Sequence, residues 1–320
     1  MDFALDETQQ AVADLARDVL AREPDAGSAW KALGQAGLLC GEGLGVLETA
    51  LVLFEVGRVA APLPALSTLA LGVLPIVHCG AEQHRSLLAP VAAGERFLTA
   101  ALRGTVTADG DRLSGTAVGV PDARQAHRIL VPAGETVFLV APDDATLTET
   151  YSSSGTPEYT VVLDGVRGDP LCDTVELRRF ALAGACAYGD GLLAGALSLT
   201  AEHVRTREQF GKPLATFQAV AQQIADVYVA SRTLHLAAWS AIWRVAQNRD
   251  RGDNPDDAPD DDVAIAAYWL AAEAMPALHT CHHLHGGLGV DESYPLHRHY
   301  SATKDLVRLL GGVEHRLAAV

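Results

Sequence analysis

The sequence predicts an α+β protein in three parts: an N-terminal helical domain at 1–98, a small middle β domain at 99–168 and a C-terminal four-helix bundle at 169–320. Three observations carry this prediction. Apolar residues recur at helical spacing through the first part. From Phe97 to about Val166 the chain turns to Val, Thr and Leu cut by turn signals. After Pro170 helical periodicity returns and persists with short connections.

Taken in order, Asp6 and Glu7 open a helix in which Val12, Leu15, Ala16 and Leu20 share a face. Apolar helical runs follow at Val46–Val59 and Pro64–His78, then a shorter one at Glu82–Val91. In the middle part, Asp109-Gly110-Asp111, Pro132-Ala133-Gly134 and Pro142-Asp143-Asp144 mark turns. Thr105–Thr107, Arg112–Ser114, Arg128–Val131, Thr136–Val140 and Tyr159–Leu163 read as strands. The last part predicts helices at Leu177–Glu208, Phe217–Gln247, Asp262–Leu284 and Pro295–Leu310. The acidic loop Asp250–Asp262 carries seven aspartates. They lack the spacing and closing Glu of a calcium loop, so it reads as a solvated connection.

Composition excludes several classes. With 24 basic and 40 acidic residues the net charge is −16, which is unsuited to neutralising nucleic-acid phosphates. At 49% hydrophobic the chain is too apolar for disorder. The most apolar stretch, Pro62–His78, is broken by Pro64 and Pro75, and the acidic start lacks a signal peptide's basic residues, so no membrane association is expected. Five scattered cysteines without C-x-x-C spacing fit a reducing cytoplasm. Cys186 and Cys281, in apolar helical surroundings, read as buried thiols. His279 and His283 stand one helical turn apart, but no third ligand and no H-E-x-x-H accompany them, so no metal is expected.

Two motifs carry the chemistry. Residues 207–218 run Arg-Glu-Gln-Phe-Gly-Lys-Pro-Leu-Ala-Thr-Phe-Gln, and 283–289 run His-Leu-His-Gly-Gly-Leu-Gly. The first resembles the R-x-Q-F-G-x-P-L-x-x-F-Q signature of acyl-CoA dehydrogenases, the second their Q-x-x-G-G-x-G element. Tyr294-Pro295 and the opening Met1-Asp2-Phe3 with Glu7-Thr8-Gln9 are similar too, and the resemblance covers the whole chain. It implies an acyl-CoA dehydrogenase-like fold and a shared FAD site, in which one subunit's motifs hold its neighbour's FAD. The implied FAD-binding residues are Arg207, Gln209, Phe210, Phe217, Gln218, His283, Gly286 and Gly287. The chemistry suits them. A planar guanidinium matches a pyrophosphate, and adjacent glycines let backbone N–H groups approach a phosphate or ribose.

The reaction implied by the resemblance removes an α-proton from an acyl-CoA thioester and passes the β-hydride to flavin. It needs a carboxylate base within reach of that proton. The family's base position falls at Leu310 or Gly311, and its second location at Ala181, so no catalytic residue is assigned. The family's Arg-Asp pair is replaced by Ser301-Ala302. Its flavin-covering loop is missing where Thr99–Gly104 runs into the first strand, and its W-I-T/S element corresponds to Gly119-Val120-Pro121. The chain therefore resembles the base-less subunit of actinobacterial heterotetrameric (α2β2) steroid side-chain acyl-CoA dehydrogenases. That implies a larger catalytic partner subunit, a steroid acyl-CoA substrate with a three-carbon propanoyl side chain as in cholesterol catabolism, and an electron-accepting flavoprotein. Two other readings remain at this stage. One is a stand-alone flavoprotein with an unrecognised base such as Asp190, and the other a flavin-free acyl-CoA-binding scaffold.

Overall fold

A computed structural model describes residues 4–23, 25–41, 43–251 and 260–320. Met1-Asp2-Phe3 and the loop residues Asp253, Asp256 and Asp257 lie outside the described residues. Helix α1 (Glu7–Arg22) starts as its sequence predicts. The Asp6 side chain accepts from the Gln9 N–H, while the Gln9 side chain accepts from the Asp6 N–H. A short α2 (Ala26–Gln35), which the apolar spacing does not reveal, opens at Asp25. The largely buried α3 (Val46–Arg58) carries Glu55, which accepts from Arg17 at 2.7 Å and Arg58 at 2.6 Å. A buried carboxylate with both cations at hand ties α1 to α3.

Pro64–His78 is not one α-helix. Leu66–Val73 winds as a π-helix and continues into α4 (Leu74–Cys79). A 3-10 segment (Glu82–Leu87) and α5 (Leu88–Ala92) follow.

The β domain is built from two four-stranded sheets. One runs β1 (Leu98–Ala100), β4 (Arg128–Ala133), β5 (Thr136–Val140), β8 (Asp169–Asp173), with β1 parallel to β4 and the rest antiparallel. The other is antiparallel throughout: β2 (Gly104–Asp109), β3 (Arg112–Pro121), β7 (Glu158–Arg167), β6 (Thr146–Thr150). Leu113 and Val161 of one sheet join Val131 and Val140 of the other in a common core. β1, β6 and β8 escape the sequence reading. β1 has three residues, β6 buries no side chain fully, and β8 holds Pro170, where helix was expected to begin.

The C-terminal part consists of α6 (Thr174–Thr206), α7 (Gln218–Arg251), α8 (Asp260–His285) and α9 (Leu296–Leu309), followed by the short α10 (Gly312–Leu317). α6 is the central helix, packed on α3, α7, α8 and α9. It is long and apolar enough to cross a membrane, but 83% of its most apolar window is buried inside the fold. Packing explains its composition. At the crossing with α3, a Cβ on Gly191 would stand 2.1 Å from the Phe54 carbonyl oxygen, so the two backbones touch there.

Candidate functional site

Two chain segments leave the helical bundle at the same end. Arg207 caps α6, its N–H donating to the His203 carbonyl at 2.8 Å. The chain then folds into a hairpin, β9 (Glu208–Gln209) against β10 (Lys212–Pro213). Phe210 and Gly211 form its two-residue tip with φ of +54° and +76°. That backbone is strained for a phenylalanine, and its ring is 93% exposed. The Leu214 N–H closes the loop on the Arg207 carbonyl at 2.8 Å. Phe217 lies half-buried beneath, edge-on to Phe210 at 6.2 Å, with the Lys212 ammonium 4.4 Å above its ring. Gln218 opens α7.

The second segment leaves α8 at His285. Gly286 turns with φ of +60°, and residues Gly286–Val290 form a 3-10 turn. A Cβ at Gly286 or Gly287 would meet nothing within 4 Å. His283 is exposed on the last turn of α8. The two exits are joined by two side chains, of which the sequence gives His285 only as a packing or interface residue and His203 no role. His203, one turn before Arg207, stacks on His285 with centroids 4.4 Å apart and planes at 20°. His285 is further fixed by the Cys281 carbonyl at 2.8 Å and the Tyr294 hydroxyl at 3.2 Å.

Of the eight sequence-predicted residues, seven are solvent-facing and only Phe217 is half-buried. Among the described residues, the side chains of Arg207, Gln209, Gln218 and His283 have no hydrogen-bond or ion-pair partner. A free guanidinium beside uncluttered glycine backbone fits the phosphates and ribose of FAD.

The opposite side, where the resemblance puts this chain's own flavin ring and base, is occupied by its own residues. Leu310 and Ala181, at the two base positions, are each 3% exposed and belong to the main core. Arg308 of α9 crosses to β7, pairing with Glu158 at 2.6 Å and with Asp305 at 3.2 Å. Asp305 accepts the Ser153 and Ser154 N–H groups at 2.8 and 2.7 Å. Burial would raise its carboxyl, but these amides, the Ser154 hydroxyl and Arg308 hold it below the ordinary range. Arg103, in the shortened Thr99–Gly104 connection, donates to the Arg308 carbonyl at 2.8 Å. Gly119 turns here with φ of +63°, beside the Arg308 guanidinium and the Glu158 carboxylate. Nearby Asp122, at φ +52°, is pushed up to about 6 by burial and by the Glu158 charge.

The remaining candidates resolve within the chain. Asp190, 1% exposed, accepts from His235 Nδ1 at 2.7 Å and from the Trp239 indole at 3.0 Å. It braces α6 against α7 through these two contacts, while its other oxygen, Oδ1, is buried without a hydrogen-bond partner among the described residues. His279 bonds the Tyr300 hydroxyl at 2.9 Å. Among the described residues no three His, Cys, Asp or Glu side chains converge as metal ligands. Burial pushes the Cys186 thiol up to about 12 and Cys281 up to about 11, so both are unreactive.

Residues 173–317 match the family model described as the acyl-CoA dehydrogenase C-terminal domain. The chain is 47% identical to acyl-CoA dehydrogenase FadE28 of Mycobacterium tuberculosis, over 99% of this chain and 97% of that protein. Its fold superposes on a chain of the ChsE4–ChsE5 complex from Mycobacterium tuberculosis with a TM-score of 0.89 and 30% identity, covering 99% and 97% of the two chains. A chain of the Tcur3481–Tcur3483 steroid ACAD, as its G363A variant, gives 0.88 and 31%, covering 98% and 96%.

Proposed function

Because this chain belongs to the acyl-CoA dehydrogenase family, which binds FAD, we propose that it is the non-catalytic subunit of an α2β2 acyl-CoA dehydrogenase and completes the FAD site of a larger catalytic partner. The observation that carries the reading is a polarity within the chain. The Arg207 and Gln209 side chains and the open Gly286-Gly287 turn face outward, the two side chains without partners among the described residues, while Arg308 and Glu158 pair with each other between the β domain and α9.

In this reading Arg207 holds the pyrophosphate, Phe210 and Phe217 border the adenine, and the Gly286-Gly287 backbone approaches the ribose or phosphates. His283 stands where the family's Gln contacts FAD. The bound FAD supplies the oxidant. The partner supplies the base and the thioester pocket. Similarity to the steroid ACAD supports a steroid CoA thioester as substrate, and within that class the resemblance of the C-terminal sequence run favours a three-carbon propanoyl side chain. A separate flavoprotein accepts the electrons, and the complex works in the cytoplasm.

The test is co-expression with a larger acyl-CoA dehydrogenase subunit encoded beside this chain, followed by flavin content and native mass. The expected product is a four-chain complex with two FAD, and no flavin on this chain alone. A flavin-loaded homo-oligomer overturns the proposal in favour of a stand-alone enzyme. Flavin absent from every complex favours a scaffold. Asp190→Asn leaves activity of the complex unchanged, because Asp190 braces helices.

A further inference from the structure

Both motifs point outward, and no hydrogen bond between them accounts for their common orientation. The contact that joins them lies one step behind. His203 is on the last turn of α6, four residues before Arg207, and His285 is the residue before Gly286. Their rings lie flat on one another at 4.4 Å, and His285 is buried. Both His285 nitrogens are engaged, one by the Cys281 carbonyl and one by the Tyr294 hydroxyl, so the ring cannot rotate freely. One turn deeper, Thr200 and Cys281 are both buried where the same two helices pack against each other.

We propose that the His203–His285 stack is the positioning element of the shared FAD site, holding Arg207 and the Gly286-Gly287 turn at a fixed separation. The assignment to FAD rests on the shared-site reading above, but the coupling of the two segments does not. An exposed arginine loses most of its value as a pyrophosphate ligand if its helix end drifts against the glycine turn, since a displacement of about 1 Å is costly in a site that needs fixed geometry.

The pair also makes that separation depend on proton concentration. The groups facing it are Arg207 from the end of α6, Cys281 and His282 from α8, and Tyr294 from the turn before α9. Burial, then Arg207, holds the His203 imidazole below its ordinary value. Burial and His203 do the same for His285, against the Cys281 carbonyl. The folded form therefore favours two neutral rings. Its contribution is complete above the unfolded imidazole value of about 6.5 and is lost as pH falls through the lower folded values.

The experiment compares His203→Ala, His285→Ala and His203→Phe by amide hydrogen exchange in the full chain and by FAD retention in the co-expressed complex. Either alanine variant is expected to speed exchange at 207–213 and 286–290 together, about tenfold, and to weaken FAD retention about tenfold at pH 7.5. His203→Phe keeps a flat ring on His285, so it retains native exchange and FAD at pH 7.5 and holds FAD to lower pH than the native chain. Loosening of only one segment, or a phenylalanine variant as damaged as the alanine ones, overturns the proposal. If the native complex carries no flavin, the shared-site reading fails while the exchange arm still decides whether the stack couples the segments. If the alanine variants do not fold, the phenylalanine variant and its pH profile decide.

Discussion

The two polar regions of this chain differ in whom they answer to. At the end of the bundle, the side chains of Arg207 and Gln209 have no hydrogen-bond or ion-pair partner among the described residues, and a Cβ at Gly286 or Gly287 would meet nothing within 4 Å. In the cleft between the β domain and α9, Arg308, Glu158, Asp305 and the Ser153–Ser154 amides satisfy one another. Charged groups left free on a surface are available for binding, whereas charges paired with each other hold a fold together. In the proposed reading, the first end serves a neighbour's FAD and the second holds the β domain to α9.

Substitutions on the two sides separate these roles. The largest effect is expected from Arg207→Ala. Losing a charge-assisted bidentate contact weakens FAD retention by the complex roughly ten- to a hundredfold, with the Tm of the isolated chain unchanged. Equilibrium dialysis and a thermal scan on the same preparation check both halves. Arg308→Ala should do the reverse. It leaves the buried Glu158 without its cation and lowers stability by on the order of 1–3 kcal/mol, read from denaturant midpoints, while flavin content stays at the native ratio.

Asp122→Asn sharpens the contrast through pH. The folded carboxyl titrates near 6, above its unfolded value of about 3.9, so its ionisation opposes folding. That penalty is absent below about pH 3.9, grows as pH rises to 6 and is constant above. The asparagine variant, which also tolerates a positive φ, should be more stable by about 1–2 kcal/mol at pH 7.5 and no more stable at pH 4. The smallest effect is expected at the hairpin tip. Phe210→Asn removes backbone strain and raises stability by a few tenths of a kcal/mol, yet slightly weakens FAD retention. A variant that gained in both would show the ring to be idle.

Much of the outward site is legible in the sequence because it is local. Arg207 through Gln218 is one continuous segment, although its fold into a hairpin tipped by Phe210 and Gly211 is seen only in the structure. The inward contact is not legible, because Arg308 and Glu158 are 150 residues apart and nothing in the run around Arg308 points to Glu158 as its partner. The resemblance located what the cleft lacks, the base at Leu310 or Ala181, but not what fills it. His203 has no sequence signature of a role, and His285 reads only as a packing or interface residue. Their only signal was position, each bordering a motif, and stacking depends on where two helix ends meet.

By itself the sequence determined the three-part order, the caps of the first helix, the long apolar α6 and both outward motifs. Each follows from periodicity, turn chemistry or residue type within a dozen or so neighbours. The tertiary structure alone decided that Leu66–Val73 winds as a π-helix, that Asp190 braces α7 through His235 and Trp239, and that Arg308 closes the cleft. Those outcomes depend on distances between elements far apart in the chain, set by how closely α3 and α6 cross and how the β sandwich lies on α9. Such distances are properties of packing, and short-range pattern does not encode them.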